Sequence, residues 1–146
     1  SLQTASGIQF TEGSDAYIAL TVGKDAQRTF YHEFFHVMDT HLLGNTGAFD
    51  RWDELNPAGF AYDYSYEANQ SRNSGVYLQS STRAFVDTYS MSYPKEDRAR
   101  IMETAMSGDP SDMLQSVALR EKLNIMSKAI RDHFDTTGWQ TPLWEQ

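Results

Sequence analysis

The segment from Asp25 to Gly44 constrains the fold more than any other part of the chain. Asp25 is a plausible N-cap and Gly44 a plausible C′ stop. Between them Phe30, Phe34, Val37, Met38 and Leu42 recur at helical spacing, which predicts a helix whose apolar stripe is the face that buries. The same helix carries His32-Glu33-Phe34-Phe35-His36. Side chains four residues apart on a helix lie one above the other on a single face, so the two imidazoles are expected to point the same way.

Two histidines so placed can share one tetrahedral zinc at about 2.0–2.1 Å. Glu33, beside the first of them, need not bind the metal. It can hydrogen-bond a zinc-bound water and take its proton as general base. Zinc lowers the pKa of such a water toward about 7 and polarises a substrate carbonyl. The motif therefore predicts hydrolysis of peptide bonds. The competing interpretation is a core helix that happens to carry two histidines. The apolar filling at Phe34 and Phe35 suits a buried motif helix instead. Asp39, three residues after His36, is a candidate acceptor for the second ring N–H of a ligand histidine, or else a solvated helix acid. His41 and His133 have no such support and are read as packing or surface residues.

The chain has 146 residues, the size of one domain, and 40% of them are hydrophobic, a globular composition. The formal net charge of -8 argues against a nucleic-acid surface, which needs clustered Lys and Arg. With no cysteine there is no disulfide and no Cys-based zinc knuckle. No apolar run approaches the roughly 20 residues that span a bilayer. The chain opens at Ser1 without an initiator Met and is read as a processed protein or an excised domain, 1–146.

Around the motif helix the order is strand, helix, long loop, helix, helix. Ala16 to Val22 is rich in β-formers, with Ile8 to Thr11 as a candidate partner strand and Glu12 to Asp15 as the turn. Residues 45–80 are interrupted by Gly47, Pro57, Gly59 and Gly75 and dense in aromatics, including Trp52, Tyr62, Tyr64, Tyr66 and Tyr77. A connection this long in a small domain is usually functional, and its aromatics suit a packed loop that lines a pocket. Ser81 to Asp87 is a candidate short helix leading to Tyr89. A second clear helix is expected from Pro94 to Ser107, stopped by Gly108, and a third from Asp109-Pro110 to Phe134. The fold class is thus α+β, mostly helical, with a small sheet at the start.

A catalytic zinc needs one more protein ligand. The acids after the long loop are Asp87, Glu96, Asp97 and Glu103, and local chemistry alone does not choose among them. Here the sequence resembles a known group. His32-Glu33-Phe34-Phe35-His36-Val37-Met38-Asp39 is similar to the HExxHxxD of anthrax lethal-factor-like gluzincins and of bacterial zinc-binding metallopeptidases related to them. Trp52 to Tyr62 resembles that group's W-x-x-L-N-P-x-G-F-x-Y loop, and Phe85 to Ala99 its F-V-S-x-Y-A…E-D-F-A segment. The likeness spans about residues 30–105 and, weakly, the last helix. In the lethal-factor-like pattern a Tyr precedes the zinc-binding Glu by seven positions, as Tyr89 precedes Glu96.

The resemblance implies a zincin-like domain with zinc on His32, His36 and Glu96. It implies Glu33 as general base and Tyr89 as a phenol directed at the developing oxyanion. It also implies a peptide or protein substrate and export in bacteria, to the medium or the cell surface. The Ala16 to Val22 strand would form the cleft's upper edge and pair with an extended substrate. There is one departure: the group usually has a second Glu four residues after the ligand Glu, and here that position is Arg100. Either Asp39 or Asp97 then takes over the support of a ligand histidine or the site is weaker, and exchange of ligand duty from Glu96 to Asp97 stays open. The rival functional class is a zincin-like binding module with a structural or degenerate metal site, and a third is a metal-free helical domain.

Overall fold

The computed structural model describes residues 6–67 and 83–146. The expected loop positions Gly75 and Tyr77, and Ser81 at the start of the expected short helix, lie outside the described residues. Strands β1 (Gly7–Glu12) and β2 (Asp15–Leu20) form an antiparallel hairpin whose register runs from Gly7 opposite Leu20 to Glu12 opposite Asp15. Its two-residue turn requires a left-handed residue, and Gly13 supplies it at φ 63. β2 thus ends two residues before the expected Val22. The open end of the hairpin rests on the motif helix. There Gly7 passes so close to Thr29 and Glu33 that a Cβ at this position would meet Thr29 Cγ2 at 2.6 Å and Glu33 Cγ at 3.0 Å.

Helix α1 (Ala26–Met38) is followed by one π-helical turn, Asp39–Leu43, closed by the Gly44 N–H donating to the Asp39 carbonyl. Helix α2 (Pro94–Met106) opens with Pro at its first position. The third expected helix is two: a single turn, α3 (Ser111–Leu114), then α4 (Val117–His133). The break falls where the Ser116 side chain caps α4 by accepting from the Leu119 N–H. Single 3₁₀ turns stand at Trp52–Leu55, Tyr89–Met91 and Leu143–Glu145. Residues 83–88 show no helical turn, so the short helix expected there is replaced by irregular chain. The molecule is α+β and mostly helical, with a two-stranded sheet at its start. Among the described residues no helix is long and apolar enough to cross a membrane.

The hairpin lies on α1, α1 packs on α2, and α2 packs on α4. The core lies chiefly under α2 and α4, where Phe35, Phe85, Ile101, Met113, Leu119 and Leu123 are fully buried. This overturns one expectation about α1. Its buried side is the one bearing His32, Glu33, Phe35 and His36, whereas Phe30, Phe34 and Leu42 are 39%, 45% and 50% exposed. The apolar stripe forms a wall of an open groove of about 530 Å³, in which Phe34 and Leu42 face Met106, Ile130 and Trp139. A π turn takes in an extra residue, so the phase shifts and Leu43, not Leu42, enters the core.

Candidate metal centre

The helical register of α1 stacks His32 over His36, and their rings meet edge to face at 4.7 Å. Across from them is the first turn of α2. Pro94 fixes where that helix begins, which places Glu96 in the first turn, facing α1. His32 Nε2, His36 Nε2 and Glu96 Oε2 are mutually 3.1 Å apart. All three residues are buried, and they are the potential metal-holding cluster among the described residues.

Protons alone satisfy such a triangle poorly, because a hydrogen aimed along one edge misses the third atom. A cation satisfies all three lone pairs at once. Ligand atoms of a tetrahedral zinc at about 2.0–2.1 Å stand about 3.3–3.4 Å apart, within a few tenths of an ångström of the spacing here. Two neutral imidazoles and one carboxylate also form the donor set of a catalytic zinc site. The residues present therefore fit a metal ion of that kind.

The far side of His32 is equally determined. Glu103 lies seven residues after Glu96, two turns along α2 and on the same face. Its Oε2 is 3.0 Å from His32 Nδ1. The Arg100 guanidinium donates to both Glu103 oxygens at 3.1 and 2.9 Å, and Arg28 donates to Oε1. Burial by itself would raise the Glu103 pKa, but His32 and the two arginines hold it down at about 2. An ionised carboxylate only accepts, so His32 Nδ1 carries a hydrogen toward Glu103, and Nε2, which holds its own proton in the metal-free protein at neutral pH, would turn a lone pair to the triangle when a metal takes that proton's place. Burial would lower the His32 pKa, yet hydrogen bonds to Glu103 and Glu96 raise it to about 9. For Glu96, burial is likewise outweighed by His32 and His36, which hold its carboxyl far below the usual range.

Glu33 is buried beside this cluster. Burial raises its pKa, with the charges of His32 and His36 partly opposing. Tyr89 stands with its ring centroid 6.3 Å from that of His32, and the Arg100 guanidinium lies over its face at 5.0 Å. Burial and the Glu96 charge push the Tyr89 phenol upward.

Comparisons with protein-family profiles, with curated proteins and with solved structures returned no match.

Of the expected site residues, His32, Glu33, His36 and Glu96 come together, with Tyr89 alongside. The expected outer support does not come from Asp39 or Asp97. Asp39 is buried but accepts from Arg98 Nε at 2.7 Å. Asp97, one residue past Glu96, is rotated about 100° round the helix into the core. There its Oδ2 accepts from Lys122 Nζ and Tyr62 OH at 2.7 Å each and from Trp52 Nε1 at 3.1 Å. It has no place in the triangle, so the exchange of ligand duty from Glu96 is absent from this structure. The support of His32 comes from Glu103, and Arg100, which stands where a Glu was expected, secures that support. The signal in the sequence is the seven-residue spacing of Glu96 and Glu103, which sets both on one face of α2. Tyr66, one of the loop's aromatics, donates its OH to Glu96 Oε1 at 2.8 Å, a contact that no spacing in the sequence marks. Of the remaining histidines, His41 is exposed and His133 Nδ1 bonds to the Ala129 carbonyl at 2.8 Å.

Proposed function

We propose that this chain is a zinc-dependent metallopeptidase of the gluzincin type. The observation that carries the reading is the convergence of His32 Nε2, His36 Nε2 and Glu96 Oε2 at 3.1 Å beside the buried Glu33 carboxyl. His32, His36 and Glu96 would hold the ion. Zinc, when bound, makes water a better acid and a carbonyl a better electrophile.

The protein's own groups supply the rest. Glu33, made more basic by burial, accepts a proton from the attacking water as its oxygen bonds to the scissile carbonyl carbon. The same carboxyl delivers that proton to the amine nitrogen as the C–N bond breaks. Tyr89, whose phenol is pushed up in pKa, keeps its proton at neutral pH and can donate a hydrogen bond to the carbonyl oxygen as charge develops there. Glu103, held ionised, keeps His32 in the tautomer whose Nε2 faces the site.

The test is cleavage of a peptide library by the zinc-loaded wild type and Glu33→Gln, with the zinc content of both measured. The wild type is expected to cleave, and the variant to keep about one zinc per chain while losing on the order of 100-fold or more in turnover. Equal cleavage by the two would remove the peptidase reading. A zinc-loaded wild type without cleavage would leave a metal-binding module.

A further inference from the structure

Glu96 has two carboxylate oxygens, and the structure uses them differently. Oε2 faces the two histidines, while Oε1 accepts from the Tyr66 phenol at 2.8 Å. The Tyr66 ring lies between those of Tyr89 (5.6 Å between centroids, 20° between planes) and Tyr93 (4.7 Å, 48°). Tyr89 and Tyr93 both belong to the segment leading into α2, so the loop's phenol is seated on the element that presents Glu96.

The approach to Tyr66 is built at a cost. Tyr64 has φ 51, the left-handed region that a non-glycine residue rarely adopts. Both of its backbone groups are tied: its N–H donates to the Ser92 carbonyl at 2.8 Å, and its carbonyl accepts from Tyr93 OH at 2.9 Å. The neighbouring Asp63 N–H donates to the Met91 carbonyl at 3.1 Å. Strain of this sort persists where the surroundings over-determine it, often at functional sites. Two residues further on, the Tyr66 hydroxyl meets Glu96 Oε1.

A carboxylate can bind a metal through one oxygen or both. If both bind, the ion gains a ligand and has less room for water or substrate. We propose that Tyr66 is a positioning residue that restricts Glu96 to ligation through Oε2 alone, and so keeps a coordination position open. This rests on the reading of the triangle as a metal site. Tyr66 is not assigned a direct part in the chemistry.

Cobalt(II) reports ligand number in its visible absorption, which is strong for four ligands and weaker for five. The experiment is titration of the purified metal-free chain with cobalt(II), for the wild type, Tyr66→Phe and Tyr64→Phe, with melting curves to show that each is folded. Tyr66→Phe keeps the ring stack and removes only the hydroxyl; Tyr64→Phe removes a phenol from the same loop. The wild type and Tyr64→Phe are expected to give the strong four-ligand spectrum. Tyr66→Phe is expected to bind cobalt with a band weaker by about twofold or more, as the site moves from four to five ligands. Identical spectra for wild type and Tyr66→Phe would overturn the proposal. So would the same weakening in Tyr64→Phe, or complete loss of cobalt from Tyr66→Phe, since the phenol would then be packing the loop or holding the site together. No cobalt band in the wild type, at any excess, would instead overturn the metal-site reading on which the proposal rests.

Discussion

His32 has a demanding position, because one imidazole must satisfy a carboxylate on each side. Its Nδ1–H is directed by Glu103, and its Nε2 joins Glu96 and His36. Removing the charge of Glu103 should therefore loosen the metal without touching a ligand. Glu103→Gln is expected to weaken zinc binding by about 10–100-fold, measured by competition with a chromophoric chelator. The same residue makes the metal-free chain sensitive to pH. His32 titrates at about 9 instead of 6.5, so the folded state binds its proton more tightly than the unfolded state. The stabilisation is fully present below pH 6.5 and is lost as pH rises through 9, up to about 3 kcal/mol. Urea unfolding of the metal-free wild type between these limits should show that decline, and His32→Gln should flatten it.

At the scale of elements, α1 shows how a periodic pattern can be right about structure and wrong about orientation. The stripe of Phe30, Phe34 and Leu42 marks a true helix, but the side that packs on α2 is the one with the two histidines and Phe35. Periodicity identifies an amphipathic repeat; which flank is covered depends on the neighbours that arrive, and here the polar side is satisfied by carboxylates from α2. The π turn after Met38 adds its own displacement. Leu43, fully buried, and Leu42, half exposed, are adjacent leucines with opposite fates. Leu43→Ala is expected to cost about 2–5 kcal/mol and Leu42→Ala less than about 1 kcal/mol. Denaturant midpoints of the two variants test this directly.

Across the whole molecule, α2 joins the site to the core. Glu96 faces α1, and the next residue, Asp97, is clamped by Lys122 from α4 together with Trp52 and Tyr62 from the loop. Lys122 and Asp97 are both fully buried. Burial lowers the Lys122 pKa against the opposing pull of Asp97, and it raises that of Asp97. An unpartnered buried charge is costly, so Lys122→Met is expected to destabilise the fold by about 3–5 kcal/mol, seen as a lower melting temperature. The Trp52 to Tyr62 stretch, which resembles a loop of the metallopeptidase group, thus serves the core here, with Trp52 and Tyr62 buried.

What the sequence by itself determined is what depends on near neighbours along the chain. The hairpin turn at Gly13, the helix around the histidines, the Pro94 start of α2 and the shared face of His32 and His36 all follow from local spacing and backbone preference. Glu96 is singled out only by the resemblance, through its distance from Tyr89, and its Oε2 lies 3.1 Å from both histidines. Only the tertiary structure decided which side of α1 is covered, that Glu103 and not Asp39 or Asp97 supports His32, and that Tyr66 reaches the second oxygen of Glu96. Those contacts join residues far apart in the chain. They arise because α1, α2 and one aromatic loop pack together, and the burial they create forces each charged group to find a partner.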